Sequence, residues 1–151
     1  MEVYRITRCN YIKDFSGTGA ATHPGRWNSK GVRMLYTAQS ASLATLETVV
    51  HIAGLKLTAP YCMIVLEIPD TLITSVDIKT LPTNWSDFPA PDILKNTGDR
   101  FIKANKYLAL KVPSAVVPED FNYLINPLHK SFGDIKIVRQ RTITFDGRLT
   151  K

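Results

Sequence analysis

The chain has 151 residues, inside the roughly 100–200 residues typical of one domain, so a single domain over 1–151 is expected. Hydrophobic residues make up 44% and charged residues 21%, a composition that supports a packed core and excludes disorder. Lys plus Arg outnumber Asp plus Glu by 19 to 13, a formal charge of +6, which favours an anionic partner such as nucleic acid, a nucleotide or an acidic protein without choosing among them.

In chain order, Glu2–Arg8 alternates as a short strand. Residues 14–31, with Gly17, Gly19, Pro24, Gly25 and Gly31, read as a loop. Val32–Thr37 is a second strand. Ser40 offers an N-cap to a helix over Ala41–Ala53 that Gly54 closes. Tyr61–Ile68 and Ile73–Ile78 are strands. Residues 79–92 hold three prolines and the aromatics Trp85 and Phe88; they read as an ordered loop whose aromatics seek burial. Asp92–Asn105 is an amphipathic helix and Leu108–Val112 a strand. Residues 122–130 read as irregular. Ile135–Arg141 and Thr142–Phe145 end the chain in β-structure, with a turn at Asp146-Gly147. Strands outnumber helices without regular alternation, so the fold class is α+β.

Several chemistries are disfavoured. No apolar run reaches the roughly 18–20 residues of a membrane span, and the N-terminus lacks a signal-peptide layout. Cys9 and Cys62 form no CxxC pair; they could make one disulfide, but in an unsecreted chain two reduced thiols are expected. His23, His51 and His129 build no zinc motif, so no metal is expected. Cytoplasm is the expected compartment. Gly17 and Gly19 do not complete a GxGxxG fingerprint, because Thr22 stands at the last position. Ser114 lies in no GxSxG context.

On the helix, Leu43, Leu46, Val50 and Ala53 fall on one stripe at 100° per residue, and Glu47 lies on its shoulder. There it either bends to water or pairs with His51 at i+4, or serves as a carboxylate held in a cleft. Arg26 follows Pro24-Gly25 and can grip a phosphate with its guanidinium fork. Trp27 either stacks on a base or packs beneath the loop. Tyr36 ends a strand before the helix, and Ser114 follows Pro113 as either a positioned hydroxyl or a turn residue.

These segments together resemble the RES domain family. HPGRWNSKGVRMLYTAQSASLATLETVVH is similar to its signature, VYRITR to its opening strand, VPSAVVPEDFNYLINPLH to its serine and Asn-Pro segment, and FDGRL to its finish. The resemblance implies a fold like that of ADP-ribosyltransferases and an enzyme that consumes NAD as a substrate, with no cofactor. It implies that the NAD is hydrolysed or phosphorolysed, or else that its ADP-ribosyl group is transferred to a protein. It assigns catalytic roles to Arg26, Tyr36, Glu47 and Ser114, and substrate contacts to Arg5, Trp27 and Asn126. It further implies a toxin of a type II toxin–antitoxin pair, with an Xre-type helix-turn-helix antitoxin that alone reaches DNA, no membrane partner, and toxin copies that pair within the complex. An RNA-directed toxin would suit the charge, but the basic residues are dispersed and no RNA-binding motif is present.

Overall fold

The computed structural model describes residues 1–53 and 58–150. Seven strands form one sheet in the order β4-β5-β6-β2-β1-β3-β7, namely β1 Glu2–Arg8, β2 Leu35–Ala38, β3 Tyr61–Glu67, β4 Ile73–Ser75, β5 Ala109–Pro113, β6 Phe121–Ile125 and β7 Lys136–Ile143. Only β4 and β5 pair in parallel. Helix α3, Asp92–Ala104, lies between them in sequence, as a parallel crossover requires. The other α-helices among the described residues are α1, Thr18–Thr22, and α2, Ala41–Ile52. The α+β expectation holds.

The register assigns side chains to faces. Val112 pairs with Asn122, Asn122 with Ala38, and Ala38 with Tyr4, so these four form one row across β5, β6, β2 and β1. Partners in a ladder share a face and alternate residues change face. Ala38 packs with Leu43 and Ala44 of α2, and Tyr4 and Ile6 lean on that cluster. Further along the sheet, Leu110, Val112 and Leu124 pack with Trp27, Met34, Leu94 and Phe101, under α3 and the 25–34 segment. The opposite face carries Val3, Leu35, Ile64, Leu66, Tyr123 and Ile125, covered by Ile12, Phe15, Phe132 and Ile135.

Several elements differ from the sequence reading. The loop at 14–31 contains the short helix α1. Residues 121–125 form strand β6 between β5 and β2; its last three residues are buried consecutively, as befits a strand covered on both faces, and so they give no alternation to read. The two closing strands are one, β7. The strand expected over Ile73–Ile78 stops at Ser75, and a 3₁₀ turn follows at Ile78–Thr80. Helix α2 begins where expected, with Ser40 Oγ accepting from the Leu43 amide at 3.1 Å. Its expected closure at Gly54 lies outside the described residues.

The expected apolar stripe of α2 is also corrected. Leu43 is buried, but Leu46 is 37% and Val50 55% exposed, and Ala53 is exposed. The inward face runs through Leu43, Ala44 and Ile52, with Glu47 between them. Apolar residues surround most of this helix, so spacing alone did not single out a face.

Cys9 and Cys62 are joined in a disulfide rather than free. The β1–β3 ladder sets Thr7 opposite Cys62, and the Cys9 amide donates to the Pro60 carbonyl at 2.9 Å. This brings the two Cα atoms to 4.9 Å, inside the bridging range. That proximity comes from strand register, which the spacing of two cysteines does not reveal.

Candidate active site

Ser40 starts α2 so that Glu47, two turns in, faces the sheet row that carries Asn122. Its Oε1 accepts from Ser114 Oγ at 2.7 Å and from Asn122 Nδ2 at 2.6 Å. Ser114 lies two residues beyond Val112 and shares its face. It is fully buried, and its Oγ also accepts from the amides of Val116 and Val117 at 3.1 Å each. Two amides thus aim the serine hydroxyl, and the hydroxyl aims the carboxylate. Both donors use Oε1, and Oε2 makes no hydrogen bond among the described residues. The pairing of Glu47 with His51 does not form through the carboxylate: His51 Nδ1 lies 2.6 Å from the Glu47 backbone carbonyl.

Arg26 reaches the same region from the 25–34 segment. Burial lowers its pKa, and the charges of Glu47, Asp87 and Tyr36 oppose that shift, so the guanidinium stays cationic. Its Nη1 donates to the carbonyls of Trp85 and Asp87, each at 2.8 Å. The remaining N–H groups, on Nη2 and Nε, have no protein acceptor among the described residues.

Tyr36 buckles this segment. Its hydroxyl donates to Asn28 Oδ1 at 2.7 Å and accepts from the Trp27 amide at 3.1 Å. Burial pushes its pKa well above the ordinary tyrosine value. A Cβ at Gly25 would come within 2.7 Å of the Tyr36 ring and hydroxyl, so the ring is flush against the backbone that leads into Arg26. Asn28 is fully buried. Its Oδ1 also accepts from the Gly25 amide at 2.9 Å, and its Nδ2 donates to the carbonyls of Ala20 at 2.8 Å and Val32 at 3.0 Å. One amide side chain therefore satisfies the backbone of a loop that has little regular structure.

The structure brings together Arg26, Tyr36, Glu47 and Ser114. Of the three expected substrate contacts, Arg5 and Asn126 stand apart from them, and Trp27, whose amide bonds Tyr36, is buried. Arg5 neighbours Tyr4 on β1 and so takes the opposite face. There its guanidinium lies 5.8 Å from the Phe15 ring centroid, and burial lowers its pKa while Asp14 opposes the shift. Trp27 is 2% exposed in the core, packed beneath the loop, where no base can stack on it. Asn126 is fully buried at the end of β6, donating to Asn105 Oδ1 at 2.8 Å and accepting from the Leu128 amide at 3.0 Å. It fixes the turn after β6 to the end of α3. Asn28 and Asn122 are the residues that sequence reasoning missed. Only the step of two from Leu124 could have flagged Asn122, and that needed β6 to be read as a strand.

Among the described residues, no three His, Cys, Asp or Glu side chains converge on a metal-sized site. No described helix is long and apolar enough to cross a membrane.

The RES domain model matches residues 2–146. The chain belongs to the RES domain family. A protein of Yersinia enterocolitica named Toxin Res is 39% identical over 99% of this chain and 99% of its own length. A Sphingobium protein named Prs ADP-ribosylating toxin is 37% identical over 91% of this chain and 88% of its own. A chain in the crystal structure of the M. tuberculosis MbcT-MbcA toxin-antitoxin complex superposes with a TM-score of 0.80, covering 95% of this chain and 84% of that one at 18% identity. At that identity the likeness speaks for the fold. The matched span takes in all seven strands and helix α2.

Proposed function

We propose that this chain is the toxin of a toxin–antitoxin pair and that it consumes NAD by breaking the bond between nicotinamide and ribose. The observation that carries this reading is the Glu47 carboxylate, pinned through one oxygen by Ser114 and Asn122 and standing within the field of the Arg26 guanidinium. As the C1′–N bond breaks, its electron pair returns to the pyridinium nitrogen and nicotinamide leaves neutral. Positive charge builds on the ribose, where a fixed carboxylate stabilises it. Glu47 Oε2 meets the ribose hydroxyls or the acceptor, and Arg26 Nη2 and Nε hold the pyrophosphate. Water or phosphate then forms the new C1′–O bond; water gives up its proton to Glu47 or to solvent. Tyr36 and Ser114 act through Arg26 and Glu47 as positioning residues.

A second reading, transfer of the ADP-ribosyl group to a protein, is favoured by the name of the Sphingobium relative. The name of the M. tuberculosis complex supports an antitoxin partner. We take that partner to be an Xre-type helix-turn-helix protein, through which alone the toxin reaches DNA.

The test is incubation of pure protein with NAD, with and without phosphate, beside Glu47→Gln. Nicotinamide with ADP-ribose reports hydrolysis, and nicotinamide with phosphorylated ADP-ribose reports phosphorolysis. Labelled protein in cell extract reports transfer. Nicotinamide release that is absent everywhere, or unchanged in Glu47→Gln, refutes the reading.

A further inference from the structure

The sequence predicts that the loop at 79–92 buries both of its aromatics. Trp85 does pack, with Leu81 and Ala90, against the Trp27 cluster. Phe88 does the opposite: at 94% exposed it is the most exposed large apolar side chain described. An isolated exposed apolar residue is ordinary on a protein surface. The backbone beneath this one is not ordinary. It is tied internally, Trp85 N to the Pro82 carbonyl at 3.0 Å and Asp87 N to the Asn84 carbonyl at 3.1 Å. It is also tied to the candidate site, because Arg26 Nη1 donates to the carbonyls of residues 85 and 87. Phe88 is the next residue, one Cα step of about 3.8 Å further on. An almost fully exposed aromatic side chain is thus mounted on backbone that Arg26 itself holds.

Arg26 is the link between the loop and the carboxylate. It bonds the loop and feels the charge of Glu47, while the Glu47 carboxylate bonds only Ser114 and Asn122 among the described residues. Glu47, Arg26 and the loop that bears Phe88 follow one another in order of contact, as nicotinamide ribose, pyrophosphate and adenine do in a dinucleotide. We infer that Phe88 is a substrate-positioning residue whose ring stacks on the adenine end of NAD, the loop 81–91 serving as a wall that Arg26 seats.

This inference rests on the proposed NAD cleavage, and its test separates the two. Nicotinamide release is followed for wild type, Phe88→Ala and Phe88→Trp, with AMP as a competing probe of the adenine end. Because the side chain is exposed, both variants are expected to melt with the wild type. Phe88→Ala is expected to raise KM for NAD about tenfold, the scale of one lost base–aromatic stack, with kcat within about twofold. It should weaken AMP inhibition by a similar factor, and Phe88→Trp should restore both. An unchanged KM and AMP inhibition in Phe88→Ala overturns the inference, whatever that variant does to antitoxin binding, and leaves NAD cleavage by the wild type standing. A wild type that releases no nicotinamide brings down the proposed function, and this inference with it.

Discussion

The Ser114 hydroxyl stands between two amides and a carboxylate, and its value to the site is directional. It accepts from Val116 and Val117, so its proton is left to point at Glu47 Oε1. A hydrogen bond to a charged group is worth about 1.5–3 kcal/mol. Ser114→Ala is therefore expected to lower kcat for nicotinamide release roughly 10- to 100-fold, with a smaller change in KM. Asn122→Ala removes the second donor without touching the 114–117 turn and should act in the same direction. Wild-type kcat in both variants would show that the carboxylate needs no such support. Tyr36 makes a different prediction. Burial holds its folded pKa above the unfolded value, so above about pH 10 the unfolded chain binds fewer protons than the folded one. Its stabilising contribution is complete below that pH and is lost as pH rises. Urea melts across pH 9–11 should show a steeper loss of stability in wild type than in Tyr36→Phe. That variant should also be weaker at neutral pH by about 1–3 kcal/mol, because the Trp27 amide loses its acceptor. Arg26, Tyr36, Glu47 and Ser114 were legible because each residue type suits its position and family motif. Asn28 and Asn122 were not, because an asparagine in a loop or strand announces nothing until its partners are known.

At the scale of elements, the sequence of α2 singles out the candidate carboxylate, Glu47, but not the face around it. The spacing of Leu43, Leu46, Val50 and Ala53 describes a valid helical stripe, yet the sheet meets the neighbouring stripe through Leu43, Ala44 and Ile52. A stripe centred on Leu46 would have left Glu47 at a margin. The observed one sets it against Asn122 and Ser114. The two arrangements separate by mutation. Leu43→Ala should cost about 2–5 kcal/mol, as for a buried leucine, whereas Val50→Ser should stay within about 0.5 kcal/mol. Chemical denaturation of the two variants checks this, and equal losses would restore the original stripe. The same physics hid β6. A strand buried on both faces shows no period of two, and Asn122 and Asn126 at its margins looked like loop residues. Helix α3 was legible almost to the residue, because its polar face is continuous and Asn105 caps it in the left-handed conformation at φ 50°.

For the whole molecule, the chain's charge and its cysteines carry different weight than composition suggested. The ion pairs among the described residues, Arg139–Glu2, Arg148–Asp146 and the N-terminus with Asp70, are all at the surface, where such pairs contribute little. Arg26 is not among them, so one cation of the excess stands free of carboxylate contacts beside Glu47. The disulfide contributes at this scale too. It joins the segment after β1 to the start of β3, residues 53 apart in sequence, and so closes a loop that includes α1, β2 and α2. Loop-closure entropy for that span is worth about 4 kcal/mol against the unfolded chain. For a chain of about 150 residues each kcal/mol moves Tm by roughly 2–4 °C. Reduction, or Cys9→Ser with Cys62→Ser, is therefore expected to lower Tm by roughly 8–16 °C. Thiol alkylation read by mass spectrometry should label neither cysteine before reduction and both after it. Because Glu47 and Arg26 are held by contacts outside the bridge, nicotinamide release well below the lowered Tm should persist. A reduced protein that melts with the oxidised one would mean that the β1–β3 ladder alone holds these two segments together.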